Sequence, residues 1–175
     1  GYVRFTFNRK EEHLVTRVSQ LMNSLFGIKA SVLKREEKGR ENVTEVIFYS
    51  RILGSLFKNL FGEKACLKKL PVEFLKMPKK FQLSLVRGMF DGDGSWKNIR
   101  FRGITYTTAS RELAFQLQMI LLRLGLISSI KISKYKPSLI NGRKIISNNF
   151  ACSVSIFGEQ LVRANRMLEL DYKWV

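Results

Sequence analysis

The sequence predicts an α+β protein in which one motif, strand–helix–strand–strand–helix, occurs twice with an extra helix between the copies. Three observations carry this. Apolar residues alternate along the strands and then recur at helical spacing, in the same order in both halves of the 175-residue chain. Matching local sequences fall at matching places: Glu12-His13-Leu14 against Arg111-Glu112-Leu113, and Val46-Ile47-Phe48-Tyr49-Ser50 against Val154-Ser155-Ile156-Phe157-Gly158. The stretch from Phe81 to Ser95 has no counterpart in the first half.

Residues 2–8 alternate, with Val3, Phe5 and Phe7 on one face and Arg4, Thr6 and Asn8 on the other, as a half-buried strand does. Residues 11–26 carry Leu14, Val18, Leu21 and Leu25 at helical spacing and end at Gly27, a C-cap residue. Strands are expected over 29–35 and 43–49, around the charged turn from Glu36 to Arg40, and then a helix over 50–61 ended by Gly62. The Lys-rich segment 63–80, with Pro71 and Pro78, reads as a crossing segment holding a short helix near 71–76. The second copy has a strand over 99–107, where Gly103 marks a bulge or bend because the alternation changes phase. It continues with a helix over 110–124 capped by Ser110 and closed by Gly125, strands over 127–135 and 150–157 joined by a polar loop with Pro137, Asn141 and Gly142, and a last helix over 159–169. The domains are read as 1–78, the first repeat, and 79–175, the second.

Lys and Arg number 31 against 14 acidic residues, a formal charge of +17. Such an excess opposes compact folding through self-repulsion, and a polyanion would offset it. Nucleic acid is the leading partner, because phosphate contacts supply most non-specific affinity. An anionic membrane surface, an acidic protein, or the RNA of a ribosomal-type structural binder would suit the same composition. No apolar run approaches the roughly 20 residues that span a bilayer. The N-terminus is not a signal peptide, and the missing initiator Met suggests a chain processed, tagged or cut from something longer. Two cysteines, Cys66 and Cys152, make no disulfide framework and suit a reducing, intracellular compartment; with His13 the only histidine, a zinc finger is excluded.

The stretch 81–95 starts as an apolar helix and ends Asp91-Gly92-Asp93-Gly94. Gly88 and Gly92 are four apart and share a helix face. Glycine in a helix costs up to about 1 kcal/mol against alanine, so two on one face suggest that another backbone packs close. Asp91 and Asp93 fall at the negative end of the helix dipole, misplaced by roughly 0.3–1 kcal/mol each. A divalent cation would reverse that penalty; a plain Asp-Gly turn is the alternative. An EF-hand fails, because Trp96 and Arg102 stand where its loop needs Gly and Glu.

Val86 to Gly94 resembles the nine-residue LAGLIDADG motif in its DGDG-ending form, frequent in intein-encoded and archaeal members. The surroundings are similar to the family's too: Lys68-Lys69-Leu70-Pro71 upstream, then the basic strand Arg100–Thr107, Ser110-Arg111-Glu112-Leu113 at a helix start and Leu124-Gly125-Leu126 at its end. The resemblance covers nearly the whole chain. It implies an α-β-β-α-β-β-α unit used twice, with the two motif helices packed along a pseudo-twofold axis through Gly88 and Gly92 and the two sheets forming a saddle in the DNA major groove. It implies a homing endonuclease that makes a metal-dependent double-strand cut, with Mg²⁺ or another divalent cation held by Asp93 beside Gly92, and Asp91 structural. Lys68 and Lys69 are catalytic candidates for stabilising charge at the scissile phosphate, against the alternative of a solvated basic linker. The DNA-facing candidates are Arg4, Thr6, Asn8, Lys34, Arg100, Arg102, Thr105, Lys131, Ser133, Lys134 and Lys144.

The first repeat is read as beginning at its strand, with no first motif helix visible before Gly1. The family's site needs an acid from each of two motif helices, so the first lies upstream, comes from another chain, or is lost. The first option implies a protein that is monomeric once that helix is included and reads a long, asymmetric double-stranded site. The alternative function is an RNA maturase or a degenerate nucleic-acid-binding module on the same fold. Gly1 is no splicing nucleophile and no terminal His-Asn pair exists, so the chain cannot splice by itself, although it could be the endonuclease insert of an intein.

Overall fold

The computed structural model describes residues 1–36, 42–97, 103–134, 138–140, 143–145 and 150–169. They form two compact units, Gly1–Asn59 and Leu60–Val175.

The first unit runs β1 (Tyr2–Asn8), α1 (Glu12–Phe26), β2 (Ser31–Lys34), β3 (Val43–Tyr49) and the start of α2 (Arg51–Phe61). Its strands pair antiparallel in the order β1-β3-β2. The period-two pattern of β1 sends Val3, Phe5 and Phe7 toward the helices, where they meet Met22, Val46, Phe48 and Leu53. Gly27 ends α1 at φ 66° in the left-handed region, its N–H bonded to the Asn23 carbonyl.

The second unit opens with a short 3₁₀ turn (Ala65–Leu67) and α3 (Val72–Lys76). There follow α4 (Lys79–Asp93), β4 (Gly94–Lys97), β5 (Gly103–Thr108), α5 (Arg111–Arg123), β6 (Ser129–Lys134), β7 (Ser138–Ile140), β8 (Arg143–Ile145), β9 (Phe150–Phe157) and α6 (Gly158–Leu168). Four strands form an antiparallel sheet in the order β4-β5-β9-β6. Val86 and Phe90 of α4 join Ile104, Leu117, Ile120, Leu124, Val154, Ile156, Ala164 and Leu168 in one core. The segment before α4 is tied to this unit. Ser110 caps α5 by accepting from the Leu113 N–H, and its hydroxyl donates to the Lys68 carbonyl. The Gln116 amide both accepts from the Leu70 N–H (2.7 Å) and donates to its carbonyl (2.9 Å).

Three details differ from the sequence reading. A strand, β4, follows the motif helix directly. The loop expected between 135 and 150 contains the hairpin β7–β8. Gly103 is no bulge: it pairs in register with both Lys97 and Phe157, and a side chain there would run into the Phe157 ring. The second unit thus has the full order α-β-β-α-β-β-α, with the β7–β8 hairpin inserted between its last two strands. The first unit begins at the equivalent of β5. The mixed α+β fold with antiparallel sheets is the one expected.

Candidate nucleic-acid interface and acidic helix end

The last turn of α4 places its two acids differently. Asp91 is turned inward and pairs with Arg87 one turn back (3.6 Å), while Arg87 also reaches Glu169 at the end of α6 (3.1 Å). That pairing offsets the unfavourable position of Asp91 on the helix dipole. Asp93 is exposed, and no ion pair within 4 Å engages it among the described residues. The chain then bends straight into β4. This junction requires Gly94, because a Cβ there would collide with the Phe90 carbonyl. Beneath it Phe90 and Tyr106 meet edge to face, with centroids 6.2 Å apart. Burial, and after it the charge of Asp93, pushes the Tyr106 phenol up to about 12.

The resemblance implies a divalent cation at this helix end. Asp93 and the backbone carbonyls of a helix C-terminus are hard oxygen donors of the kind Mg²⁺ takes. Yet among the described residues no three of His, Cys, Asp or Glu converge. Asp93, exposed at this helix end, fits as one donor to a divalent cation. Gly88 and Gly92 are exposed, and a Cβ on either would meet nothing within 4 Å. Lys68 and Lys69 have exposed side chains on a clamped backbone, and neither forms an ion pair with Asp93.

In each unit one sheet face turns away from the helices. In the first it carries Arg4, Thr6 and Asn8 from β1, Glu45 and Ile47 from β3, and Ser31, Leu33 and Arg35 from the β2 side. Lys34 is not brought to this face: it pairs across from Thr44 on the helix side, where its ammonium meets Glu12 at 3.4 Å. In the second unit that face carries Ser95, Thr105, Thr107, Ser153, Ser155, Ser129, Lys131 and Ser133. Thr105 is buried with its hydroxyl bonded to Ser155 at 2.8 Å, while Thr107, bonded to Ser153 at 3.1 Å, is exposed. Lys134 pairs across from Phe150 and so sits on the helix side. Lys144 lies on β8, and Arg100 and Arg102 lie outside the described residues.

Arg35, Glu45, Thr107 and the row of serines do not stand out in the sequence. For the serines a signal existed: in Cys152-Ser153-Val154-Ser155-Ile156 the hydroxyls occupy every second position, the off-core face of a strand. The role of Glu45 had no local signal, because its partners Arg4 and Arg35 come from two other stretches of chain.

Residues 80–154 match the model of the LAGLIDADG-like domain. An uncharacterized protein of Methanocaldococcus jannaschii is 32% identical over 168 residues, which is 91% of this chain and 19% of that protein. A component of the A-type ATP synthase of Methanopyrus kandleri is 31% identical over 75% of this chain and 12% of its own length. The ATP-dependent DNA helicase Hel308 of Thermococcus kodakarensis is 29% identical over 99% of this chain and 16% of its own. The chain thus spans under a fifth of the length of these relatives. Among solved structures, the homing endonuclease I-DmoI in complex with DNA and Mn superposes with a TM-score of 0.65 at 12% identity, covering 99% of this chain and 82% of that one. The N-terminal LAGLIDADG domain of DUF199/WhiA superposes at 0.59 with 14% identity, over 97% and 73%.

Proposed function

We propose that this chain, a LAGLIDADG-like domain over residues 80–154 on the fold shared with homing endonucleases, is a site-specific endonuclease that cuts double-stranded DNA with the help of a divalent cation. The exposed carboxylate of Asp93 on the last turn of α4 carries this reading. A helix C-terminus is a poor place for an acid unless something positive comes to it. The charge of +17 supplies the attraction for DNA, and crystal structures of I-DmoI with its target DNA and Mg or Mn support the class of substrate and cation.

Asp93, with the Gly92 carbonyl beside it, would hold the cation jointly with the acid of a second motif helix. When bound, the cation supplies charge stabilisation at the phosphate oxygens. Lys68 and Lys69 add positive charge near the developing phosphate charge. Arg4, Thr6 and Asn8 in one unit and Thr107, Lys131 and Ser133 in the other face the duplex, with Arg100, Arg102 and Lys144 assigned to it from the sequence. The second motif helix packs on the Gly88–Gly92 face, and with it the protein is a monomer reading an asymmetric site. An ATP synthase component and a helicase share this stretch over less than a fifth of their lengths. That is the pattern of an element inserted into unlike hosts, which supports an intein or intron context.

The test is Asp93→Asn in a polypeptide that includes the upstream helix, with nicking and gel-shift affinity measured on the same preparation and on DNA of the host gene without the insert. Cutting should fall by at least about 100-fold, as losing a charge-stabilising group does, while binding holds. Undiminished cutting by Asp93→Asn would overturn the assignment. A wild-type protein that binds DNA without nicking it would favour the maturase or binding-module reading, which the single acid also suits.

A further inference from the structure

We propose that Glu45 is a positioning residue that fixes Arg4 and Arg35 as a pair of guanidinium groups for reading guanine in the major groove; the inference rests on the DNA-binding reading above. Glu45 stands on β3, the middle strand of its sheet, on the face turned from the helices. Its carboxylate is flanked from both neighbouring strands: one oxygen faces Arg4 on β1 (3.6 Å), the other Arg35 beyond β2 (2.6 Å). The side chains are 8%, 46% and 31% exposed, so the acid is sunk, Arg4 stands half out, and Arg35 is partly buried with its Nε enclosed.

A buried acid in the middle of a surface meant for phosphate works against affinity, and this chain has few acids to place. Its position makes sense as fixation. A long Arg side chain gives up rotamer freedom when it docks on a base edge, and a contact that holds it beforehand removes that cost from binding. The backbone at Arg35 is held as well: its N–H continues the ladder to the Val43 carbonyl (3.0 Å) and its carbonyl accepts from the Arg9 guanidinium (3.3 Å). The Tyr2 ring lies 6.0 Å from Arg4 on another side. Glu45 is not itself a reader of cytosine, because each of its oxygens already faces an arginine. In the second unit the equivalent register positions hold Ser153, Thr105 and Ser133. The charged pair therefore belongs to one half of the protein, and the guanine preference to one half of the DNA site.

Selection from a randomised pool of double-stranded DNA tests this with the wild-type chain, Glu45→Gln and Arg4→Lys. The wild type should enrich guanine at a short run of positions. Glu45→Gln should lower that enrichment about tenfold, within the range a bidentate Arg–guanine contact supplies, while leaving other positions alone and tightening binding to unselected DNA. Arg4→Lys keeps the charge and the acid's partner, so it should flatten the same positions even if Glu45→Gln folds poorly. Guanine enrichment untouched by both variants, or a loss spread evenly over all positions, would overturn the proposal while leaving DNA recognition standing. A wild-type chain that enriches no sequence would overturn the DNA reading as well.

Discussion

In the second unit Ile120 of α5, Leu124 just past its end and Ala164 of α6 are buried in the core that Val86 and Phe90 of α4 complete. Counting from the matched helix and strand sequences, the first unit has Leu21, Leu25 and Leu56 at those places, and they stand 48%, 68% and 42% exposed. The two units share an order of elements, and among the described residues the first starts at the equivalent of β5, so α4 and β4 are compared from the second unit alone. The helix carrying the acid is thus also the helix that closes the core. In this architecture the acidic end is positioned by the same apolar contacts that stabilise the unit, so Asp93 needs no separate scaffold.

The largest effect is expected in the core of the second unit. Phe90→Ala removes a fully buried ring from α4 and should cost about 3–5 kcal/mol. Amide exchange should show the loss across α5 and β9 while β1 and β3 keep their protection. Equal loss of protection in both units would mean that they fold as one.

The order of elements was legible from the sequence because each apolar period belongs to one local segment. Val3, Phe5 and Phe7 sit inward, and Gly27 and Gly125 end their helices as expected. The motif was legible for the same reason, since Gly94, forced by the Phe90 carbonyl, lies within one turn of the acids it serves. What escaped depends on register. Lys34 and Lys134 look like surface cations in the sequence, and only pairing with Thr44 and Phe150 shows which face each takes. Thr105 and Thr107 differ in nothing local, yet one is buried against Ser155 and the other is exposed. β4 escaped because Gly94-Ser95-Trp96-Lys97 is too short to establish a period, and it gains its pairing only from β5.

A smaller effect comes from Tyr106, whose equivalent in the first unit is Phe5. Its phenol is raised to about 12, first by burial and then by Asp93, against about 10 when unfolded. The folded state therefore holds the proton more tightly. The associated stability is intact below about pH 10 and is lost as pH rises toward 12, by on the order of 2–3 kcal/mol. Tyr106→Phe should remove that part of the alkaline loss when urea midpoints are compared at pH 9 and near 12. An identical pH dependence in the two proteins would mean that the phenol ionises as freely folded as unfolded.

The smallest expected effect tests the motif helix proposed upstream of Gly1. Leu21→Gln with Leu25→Gln replaces two exposed leucines on α1 by another good helix former. Surface changes of this kind stay within about 0.5 kcal/mol each, so the pair should leave the stability of residues 1–175 almost unchanged. At the matching places of the second unit the outcome should reverse: Ile120→Gln or Leu124→Gln buries an amide and opens a gap, at a cost on the order of 3 kcal/mol. The asymmetry should then disappear in a polypeptide long enough to carry the first motif helix. There Leu21 and Leu25 would lie under it as Ile120 and Leu124 lie under α4, and the glutamine pair should become as costly as its counterparts. Urea denaturation of both lengths reads this directly. A cost above about 2 kcal/mol in residues 1–175 would mean that these leucines are already covered within this chain. No added cost in the longer polypeptide would mean that the first motif helix seats elsewhere, and the second acid for the site at Asp93 would then have to come from another chain.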